Sequence, residues 1–228
     1  MKTKYIYFDF FGTLAFLSKE VNWDEVFNMI SGPYGAEDRL AIKLNWISVF
    51  IKLQRNAEKT HIEFSMDDVT KRLHQIIPQY TQENLFNITK TYMQLWEQSI
   101  VFYQDALESI PKLAQKCHLG IISNTHDPKL VPSILYKYGM SKYFKQIILS
   151  VSEKYRKPNK SIFQVATGLS HYSQEWCFVG DSFEQDIRGA IAANVLPILI
   201  SRGEQKNKEQ CITINTLNEI DYVLNMGE

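Results

Sequence analysis

The stretch YIYFDFFGTLAF, residues 5–16, is an apolar run that contains a single carboxylate. Its first four residues have the continuous apolar character of a strand that is buried on both faces of a parallel sheet. Asp9 ends this strand, and a Gly-Thr pair follows. Because an isolated carboxylate is costly to bury without a partner, the position raises two questions. Which groups compensate Asp9, and why is the second residue after it the aromatic Phe11?

The composition is that of an ordinary globular protein. Of 228 residues, 45% are apolar and 22% are charged. The 25 basic residues equal the 25 acidic residues, so the net charge is zero. This charge balance does not indicate a basic surface that would bind nucleic acid or a membrane. The longest apolar stretches fall well short of the roughly 20 residues that a membrane-spanning helix needs. We therefore expect no nucleic-acid partner and no membrane partner, and the oligomeric state is left unknown.

The N-terminal residues and the cysteines bear on the cellular compartment. The chain passes from MKTK straight into the first strand without a small-residue cleavage site, so we expect no signal peptide. Cys117, Cys177 and Cys211 lie far apart and lack the spacing of metal ligands. We expect reduced thiols and a cytoplasmic location.

Residues 17–98 carry helical patterns, and we predict that they form a four-helix bundle inserted into the fold. Trp23, Val26, Phe27 and Ile30 have the i, i+3, i+4, i+7 spacing of an amphipathic helix. The other predicted helices of this region are 38–56, 65–77 and 85–96.

From about residue 104, strands alternate with helices. The predicted strands are 118–124, 144–150, 175–181 and 195–201, and the predicted helices are 127–139, 159–169, 183–194 and 217–226. With the first strand, this alternation predicts an α/β fold with a doubly wound parallel sheet, formed by residues 1–16 and 99–228. Ligands of such sheets bind outside the carboxyl ends of the strands. The residues expected at this edge are Asp9, Ser123, the stretch 150–157 and Asp181.

The side chains expected at this edge have complementary chemistry. Asp9 offers a carboxylate nucleophile or a metal ligand. Asp181 and Asp186 offer the hard oxygens that suit Mg²⁺. Ser123 and nearby N–H groups can hold an anionic oxygen, and Lys157 can offset the crowded carboxylates and bind a phosphoryl group. Each residue alone also fits a turn, a cap or a solvated loop, so it is their combination that indicates a site.

Four segments in this order resemble the motifs of the haloacid dehalogenase-like (HAD) hydrolases. They are DFFGTL (9–14), IISN (121–124), SVSEKYRKPNKSIF (150–163), in which Lys157 is the motif lysine, and FVGDSFEQDIRGA (178–190). The resemblance spans nearly the whole core and implies the Rossmann-like core of that family. The insert resembles the family's helical cap of the first kind.

The resemblance implies a mechanism in which the residue matching Asp9 attacks phosphorus and forms an aspartyl-phosphate, which water then cleaves. The implied roles are catalytic for Asp9, Ser123 and Lys157, substrate-binding for Gly12, Thr13 and Asn124, and metal-binding for Asp9, Phe11 through its carbonyl, Asp181 and Asp186. The implied cofactor is Mg²⁺, and the implied partner is a small phosphorylated metabolite.

Phe11 departs from the pattern of the family's phosphatases, which usually carry a second aspartate at this position. That aspartate protonates the leaving group and later activates water, and such help is typically worth about 10²–10⁴ in rate. The family's dehalogenases carry an aromatic residue here, because a halide leaving group needs no proton. They use no metal, however, and their fourth motif differs at the position of Asp181. The sequence therefore favours a Mg²⁺-dependent phosphate monoester hydrolase.

Two alternatives stay open at this point. One is a 2-haloacid dehalogenase-type hydrolase that uses Asp9 without a metal, and the other is a non-catalytic protein that binds a phosphorylated ligand. If the protein is a phosphatase, another residue could replace the missing acid. The candidates are His126, Asp127, Glu20 and Asp24, although we also expect Asp127 to be the N-cap of the helix that it begins.

Overall fold

The structure is a computed structural model that describes residues 5–30, 32, 34–168, 175–203 and 211–224. The described residues divide into two compact units. One unit, Leu17–Ile100, is called the helical insert below, and the remaining described residues form the α/β core. The insert predicted from the sequence, 17–98, ends two residues before this unit does.

Six parallel strands form the sheet of the α/β core within the described part of the chain. In chain order, the strands are β1 (Tyr5–Phe8), β2 (Ala15–Leu17), β3 (Ile100–Phe102), β4 (His118–Ser123), β5 (Phe144–Leu149), β6 (Trp176–Gly180), β7 (Leu196–Ile200) and β8 (Ile212–Ile214). The order across the sheet is β5-β4-β1-β6-β7-β8, and β2 pairs with β3 separately. The chain thus winds from β1 towards β5 on one side and from β6 towards β8 on the other, which is the doubly wound arrangement.

The register of the central strands brings their carboxyl ends to the same level. Phe8, the last residue of β1, pairs with Ile121 of β4 and with Val179 of β6. All three residues are fully buried, as expected for a parallel sheet that is covered on both faces. Asp9 and Asp181 therefore leave the sheet side by side, near the point where the winding reverses and where ligands bind in such folds.

Helices account for most of the remaining described chain. They are α1 (Trp23–Met29), α2 (Ala36–Thr60), α3 (Met66–Ile76) and α4 (Gln82–Gln98) in the helical insert, and α5 (Gln104–Leu113), α6 (Leu130–Lys137), α7 (Ser150–Glu153), α8 (Lys160–Thr167), α9 (Arg188–Ala192) and α10 (Ile220–Val223) in the α/β core. The insert helices pack their apolar faces around a shared core, in which the rings of Trp23 and Trp46 have centroids 5.1 Å apart. The predicted fold class, a doubly wound α/β core with an inserted helical bundle, is confirmed.

Helix α6 begins later than predicted. Asp127 was expected to be the N-cap of a helix over 127–139, but its Oδ1 accepts the N–H of Lys129 at 2.8 Å in the preceding turn. The helix begins at Leu130. Aspartate commonly accepts a hydrogen bond from the residue two positions on, and here this local turn takes the place of a helix cap.

Several elements were not predicted from the sequence. They are the short strands β2, β3 and β8 and the helices α5 and α7, and α7 begins at Ser150, the last residue of the predicted strand 144–150. The predicted helix 183–194 begins as a π-helical turn, Phe183–Ile187, before α9. The predicted helix ends at 169 and at 225–226 lie outside the described residues.

Two further findings concern the chain as a whole. Among the helices that the structure describes, none has the length and the apolar composition that crossing a membrane would require. Cys117, Cys177 and Cys211 are reduced cysteines. Burial raises the pKa of Cys117 to about 11, which keeps this thiol protonated.

Candidate active site

Asp9 continues the ladder of β1 by one residue before the chain turns away from the sheet. Its N–H donates to the carbonyl oxygen of Val179 in β6 at 2.8 Å. Gly12 then adopts a φ of +85°, and a Cβ at this position would overlap the carboxylate of Asp181. Glycine is therefore required both by the left-handed backbone and by the close approach to Asp181.

The turn after Asp9 is closed by its own backbone hydrogen bonds. The N–H of Gly12 donates to the carbonyl oxygen of Ala15 at 2.7 Å, and the N–H groups of Leu14 and Ala15 both donate to Phe10 at 2.9 Å. These bonds define a compact turn, residues 9–15, which is called the Asp9 loop below. Its conformation sets where the Asp9 carboxylate lies.

Lys157 is the buried partner that compensates Asp9. Its Nζ lies 2.5 Å from Oδ1 of Asp9 and 2.7 Å from Oδ1 of Asp186, and its side chain is 1% exposed. The same ammonium group lies 5.1 Å from the centroid of the Phe178 ring. Lys157 thus bridges the carboxylate that follows β1 and a carboxylate that follows β6.

Asn124 holds the backbone that carries Lys157. Its Oδ1 accepts the N–H of Lys157 at 2.8 Å, and its Nδ2 donates to the carbonyl oxygen of Lys157 at 3.1 Å. The same Nδ2 donates to Oε1 of Gln185 at 3.0 Å. The side chain therefore links three loops at the edge of the sheet, and its contact with a substrate stays a prediction.

Asp181 joins Asp9 and Asp186 in a carboxylate cluster. Among the described residues, these three can each offer an oxygen such that the three atoms lie within 4.8 Å of one another. Asp186 belongs to the π-helical turn Phe183–Ile187, and its Oδ2 accepts the N–H of Ser182 at 2.9 Å. Turns of this kind are frequent at functional sites. The three carboxylates among the predicted metal ligands are thus brought together, and the role of the Phe11 carbonyl stays a prediction.

The cluster has an unusual electrostatic balance. Burial raises the pKa of Asp9 to about 8, an effect that Lys157 opposes and that Asp186 and Asp181 reinforce. Burial also raises the pKa of Asp181, and the carboxylate of Asp186 adds to this shift. Burial alone lowers the pKa of Lys157, but Asp186 and Asp9 outweigh it, so the pKa is raised. In their ionised forms the three carboxylates carry more negative charge than this lysine neutralises, so a further cation would favour these ionised forms.

Two fully buried hydroxyl groups belong to predicted site residues, Thr13 in the Asp9 loop and Ser123 at the end of β4. Within the described part of the chain, Oγ1 of Thr13 and Oγ of Ser123 have no hydrogen-bond partner. A buried hydroxyl group without a partner costs about 1–3 kcal/mol, so most such groups in folded proteins are paired. These two hydroxyls therefore suit an anionic oxygen supplied by a ligand.

Phe11 lies half-buried in the Asp9 loop. Its ring packs edge-on against Phe10, with centroids 5.0 Å apart. It presents a hydrocarbon where a general acid was expected from the resemblance. The candidate replacements stay predictions: His126 and Asp127 follow β4 in the α/β core, and Glu20 and Asp24 belong to the helical insert.

Arg202 and Asp105 belong to this region but were not predicted from the sequence. Nη2 of Arg202 donates to the carbonyl oxygen of Thr13 at 2.6 Å, and Nη1 contacts both carboxylate oxygens of Asp105. The sequence did contain one signal for Arg202, since it is a charged residue just beyond the apolar strand β7. The same feature, a charge at the end of an apolar strand, singled out Asp9.

Comparison with known sequences identifies related proteins. The family model for haloacid dehalogenase-like hydrolases matches residues 42–200 of the chain. The glyceraldehyde 3-phosphate phosphatase of Methanopyrus kandleri is 33% identical over 76 residues. This alignment covers 33% of the chain and 33% of that protein, so the chain spans about a third of the length of this relative.

Solved structures share the fold over almost the whole chain. A 2-haloacid dehalogenase from Pseudomonas syringae pv. Tomato has a TM-score of 0.72 at 16% identity, covering 99% of this chain and 100% of that one. YfnB from Bacillus subtilis, solved bound to magnesium, has a TM-score of 0.67 at 20% identity, with the same coverage of 99% and 100%. A HAD phosphatase from Thermococcus onnurineus has a TM-score of 0.59 at 23% identity, covering 97% and 98%. At these identities the similarity concerns the fold.

Proposed function

Because the chain belongs to the haloacid dehalogenase-like hydrolases, we propose that it is a Mg²⁺-dependent hydrolase of a small phosphate monoester. The observation that carries this proposal is the carboxylate cluster of Asp9, Asp181 and Asp186 around Lys157. The curated relative from Methanopyrus kandleri, which acts on a phosphorylated triose, supports a small phosphorylated substrate. A cytoplasmic location and a cap role for the helical insert are part of the same proposal.

The donor set fits Mg²⁺. Asp9, Asp181 and Asp186 would hold the ion, with the backbone carbonyl of Phe11 as a further oxygen ligand. Carboxylate oxygens are the donors that this hard cation prefers, and the three groups lie close enough to share one ion. When bound, Mg²⁺ would supply positive charge that Lys157 alone does not provide, both to the carboxylates and to an anionic phosphoryl group.

Asp9 is the proposed nucleophile. One of its oxygens attacks phosphorus, the bond from phosphorus to the ester oxygen breaks, and the alcohol oxygen departs with the electron pair. Lys157, Ser123 and Thr13 hold the oxygens of the transferring phosphoryl group and offset its charge. Water then attacks the aspartyl-phosphate, which releases phosphate and restores the carboxylate. Since Phe11 has no proton to give, the departing oxygen takes its proton from water.

Phe11 itself favours a second candidate function, a dehalogenase of the 2-haloacid type. In that reaction Asp9 attacks the carbon that bears the halogen, and the halide leaves without a proton. The third alternative, a protein that only binds a phosphorylated ligand, would turn over neither substrate class. We rank the phosphatase first because Asp181 and Asp186 are both present in the cluster.

A paired assay separates the three functions. Phosphate release is measured over a panel of phosphorylated metabolites with and without Mg²⁺, and halide release from 2-haloacids is measured in excess chelator. The proposed function requires phosphate release that depends on Mg²⁺. Halide release in chelator would instead assign the dehalogenase reaction, and a melting temperature raised by a phosphorylated ligand without turnover would indicate a binding protein.

Asp181→Asn is expected to weaken Mg²⁺ binding by at least about 10- to 100-fold, the loss that even an outer-shell change usually causes. The measurement is the rise in melting temperature with Mg²⁺ concentration, from which the dissociation constant of Mg²⁺ follows, so it needs no substrate. Asp221→Asn is the matched control, because its carboxylate is also engaged, by Lys116 at 2.8 Å, but lies outside the cluster. Equal Mg²⁺ dissociation constants for wild type and Asp181→Asn would exclude Asp181 as a ligand.

A further inference from the structure

Arg202 lies two residues beyond the end of β7 and reaches the Asp9 loop. Its Nη2 donates to the carbonyl oxygen of Thr13 at 2.6 Å. Its Nη1 contacts Oδ1 and Oδ2 of Asp105 at 3.0 and 3.1 Å. The guanidinium group also lies over the ring of Tyr103, with Cζ 3.6 Å from the centroid. Arg202, Asp105 and Tyr103 are called the arginine clamp below.

Asp105 anchors the arginine clamp within the α/β core. It lies in the first turn of α5, and its Oδ2 also accepts the N–H of Leu217 at 2.8 Å. The side chains of Arg202 and Asp105 are only 15% and 12% exposed. The Asp105 carboxylate accepts hydrogen bonds from Arg202 and from Leu217 in a largely buried place, so it holds the guanidinium group in one geometry. Ion pairs on a protein surface are held less firmly. The guanidinium group therefore meets Thr13 from a rigid base.

The arginine clamp holds two consecutive carbonyl groups of the Asp9 loop. While Arg202 binds the carbonyl oxygen of Thr13, the N–H of Tyr103 donates to the carbonyl oxygen of Leu14 at 3.0 Å. A hydrogen bond from a charged donor is stronger than one between neutral groups. The planar fork of the guanidinium group donates to both oxygens of Asp105 and to the carbonyl oxygen of Thr13 in one fixed geometry, whereas the donors of a lysine ammonium on a flexible stem have no such fixed arrangement.

We propose that Arg202 is a positioning residue, which holds the Asp9 loop through the carbonyl oxygen of Thr13 and so directs the Asp9 carboxylate and the Thr13 hydroxyl towards the substrate. The effect of Arg202 on the rate of hydrolysis rests on the proposed function, whereas its effect on the conformation of the Asp9 loop does not. A displacement of a reacting group by about 1 Å can cost roughly 10²-fold in rate. Loss of the clamp should therefore lower kcat far more than it changes KM.

Hydrogen–deuterium exchange tests the effect on the loop directly. In Arg202→Met, the amides of Leu14 and Ala15 are expected to exchange faster than in wild type, on the order of tenfold, because the loop opens more easily. Arg202→Lys keeps the charge without the fork and should give an intermediate rate. If Arg202→Met does not fold, Arg202→Lys carries the test.

Arg188→Met is the matched control for these variants. Arg188 also pairs with a carboxylate, Glu184 at 2.7 Å, and lies over an aromatic ring, Phe183 at 5.8 Å, but its side chain is 63% exposed. Exposed pairs of this kind contribute little, so the exchange of the Asp9 loop and the rate of catalysis should stay at wild-type values.

Steady-state kinetics with the best phosphate ester of the wild type complete the test. Arg202→Met is expected to lower kcat about 10- to 100-fold with KM changed by less than about threefold, and Arg202→Lys should recover part of kcat. Unchanged exchange in the folded Arg202 variants would overturn the inference, whatever the enzyme hydrolyses. Faster exchange with unchanged kcat would overturn the positioning role. If the wild type releases no phosphate, the proposed function fails, and exchange alone decides whether Arg202 holds the loop.

Discussion

Asp9→Asn is expected to abolish turnover, by at least about 10⁴-fold, while the protein still folds. A neutral amide cannot attack phosphorus, so no aspartyl-phosphate can form at this position. The fold should persist because burial raises the pKa of Asp9 to about 8, and a pKa raised in the folded state means that folding favours the neutral form of the side chain. The melting temperature should stay within about 4 °C of wild type, the shift that roughly 1 kcal/mol causes in a chain of this size.

Phosphate release and thermal unfolding measure the two parts of this prediction separately. Asp67→Asn is the matched control, because this aspartate is exposed in the first turn of α3 and should leave the rate unchanged. Turnover of Asp9→Asn within a few-fold of wild type would exclude Asp9 as the nucleophile. A large fall in the melting temperature would instead show that the Asp9–Lys157 ion pair stabilises the folded protein by more than the cost of burying the Asp9 charge.

Phe11→Asp is expected to accelerate the hydrolysis of alkyl phosphates by about 10²-fold and to change that of aryl phosphates little. In the wild type the departing oxygen leaves as an anion, so the rate should fall steeply as that oxygen becomes more basic. A carboxyl group at position 11 would donate a proton to the basic alkoxide, whereas a phenolate leaves readily without one. The measurement is kcat/KM over a series of esters that differ in leaving-group pKa, under conditions where the chemical step limits turnover.

Phe11→Asn is the matched control for this prediction, since it has almost the size and polarity of the aspartate but no proton to donate at neutral pH. Both variants remove a half-buried ring that packs against Phe10, so the loss of stability must be measured before the rates are compared. An equally flat dependence on the leaving group in wild type and in Phe11→Asp would contradict the prediction. It would mean that another residue, such as His126, already supplies the proton.

The positions of Asp9, Ser123 and Asp181 could be predicted from the sequence. Each lies at the end of a short apolar run, and such runs form strands because burying both faces of a sheet removes apolar surface from water. Parallel strands end at one edge, so residues far apart in the chain could be expected to be neighbours. The observed register, with Phe8 between Ile121 and Val179, agrees with this expectation.

Short elements could not be predicted in the same way. The strand β8, Ile212–Ile214, has three residues and forms through its pairing with β7. Three residues carry no measurable periodicity, so local sequence does not distinguish such a strand from a loop. The start of α6 was misplaced for a related reason, because Asp127 can serve a turn as well as a helix end.

What the sequence by itself determined is which residues reach the edge of the sheet, since hydrophobic burial acts on local patterns. Only the tertiary structure decided which polar atoms pair there. Asn124 holds the backbone of Lys157, and Arg202 binds the carbonyl oxygen of Thr13 across 189 positions of the chain. Hydrogen bonds and ion pairs need partner atoms within about 3 Å. Whether the polar atoms at the tips of long side chains come within this distance of a partner depends on how separate loops pack. No local pattern in the sequence encodes that packing.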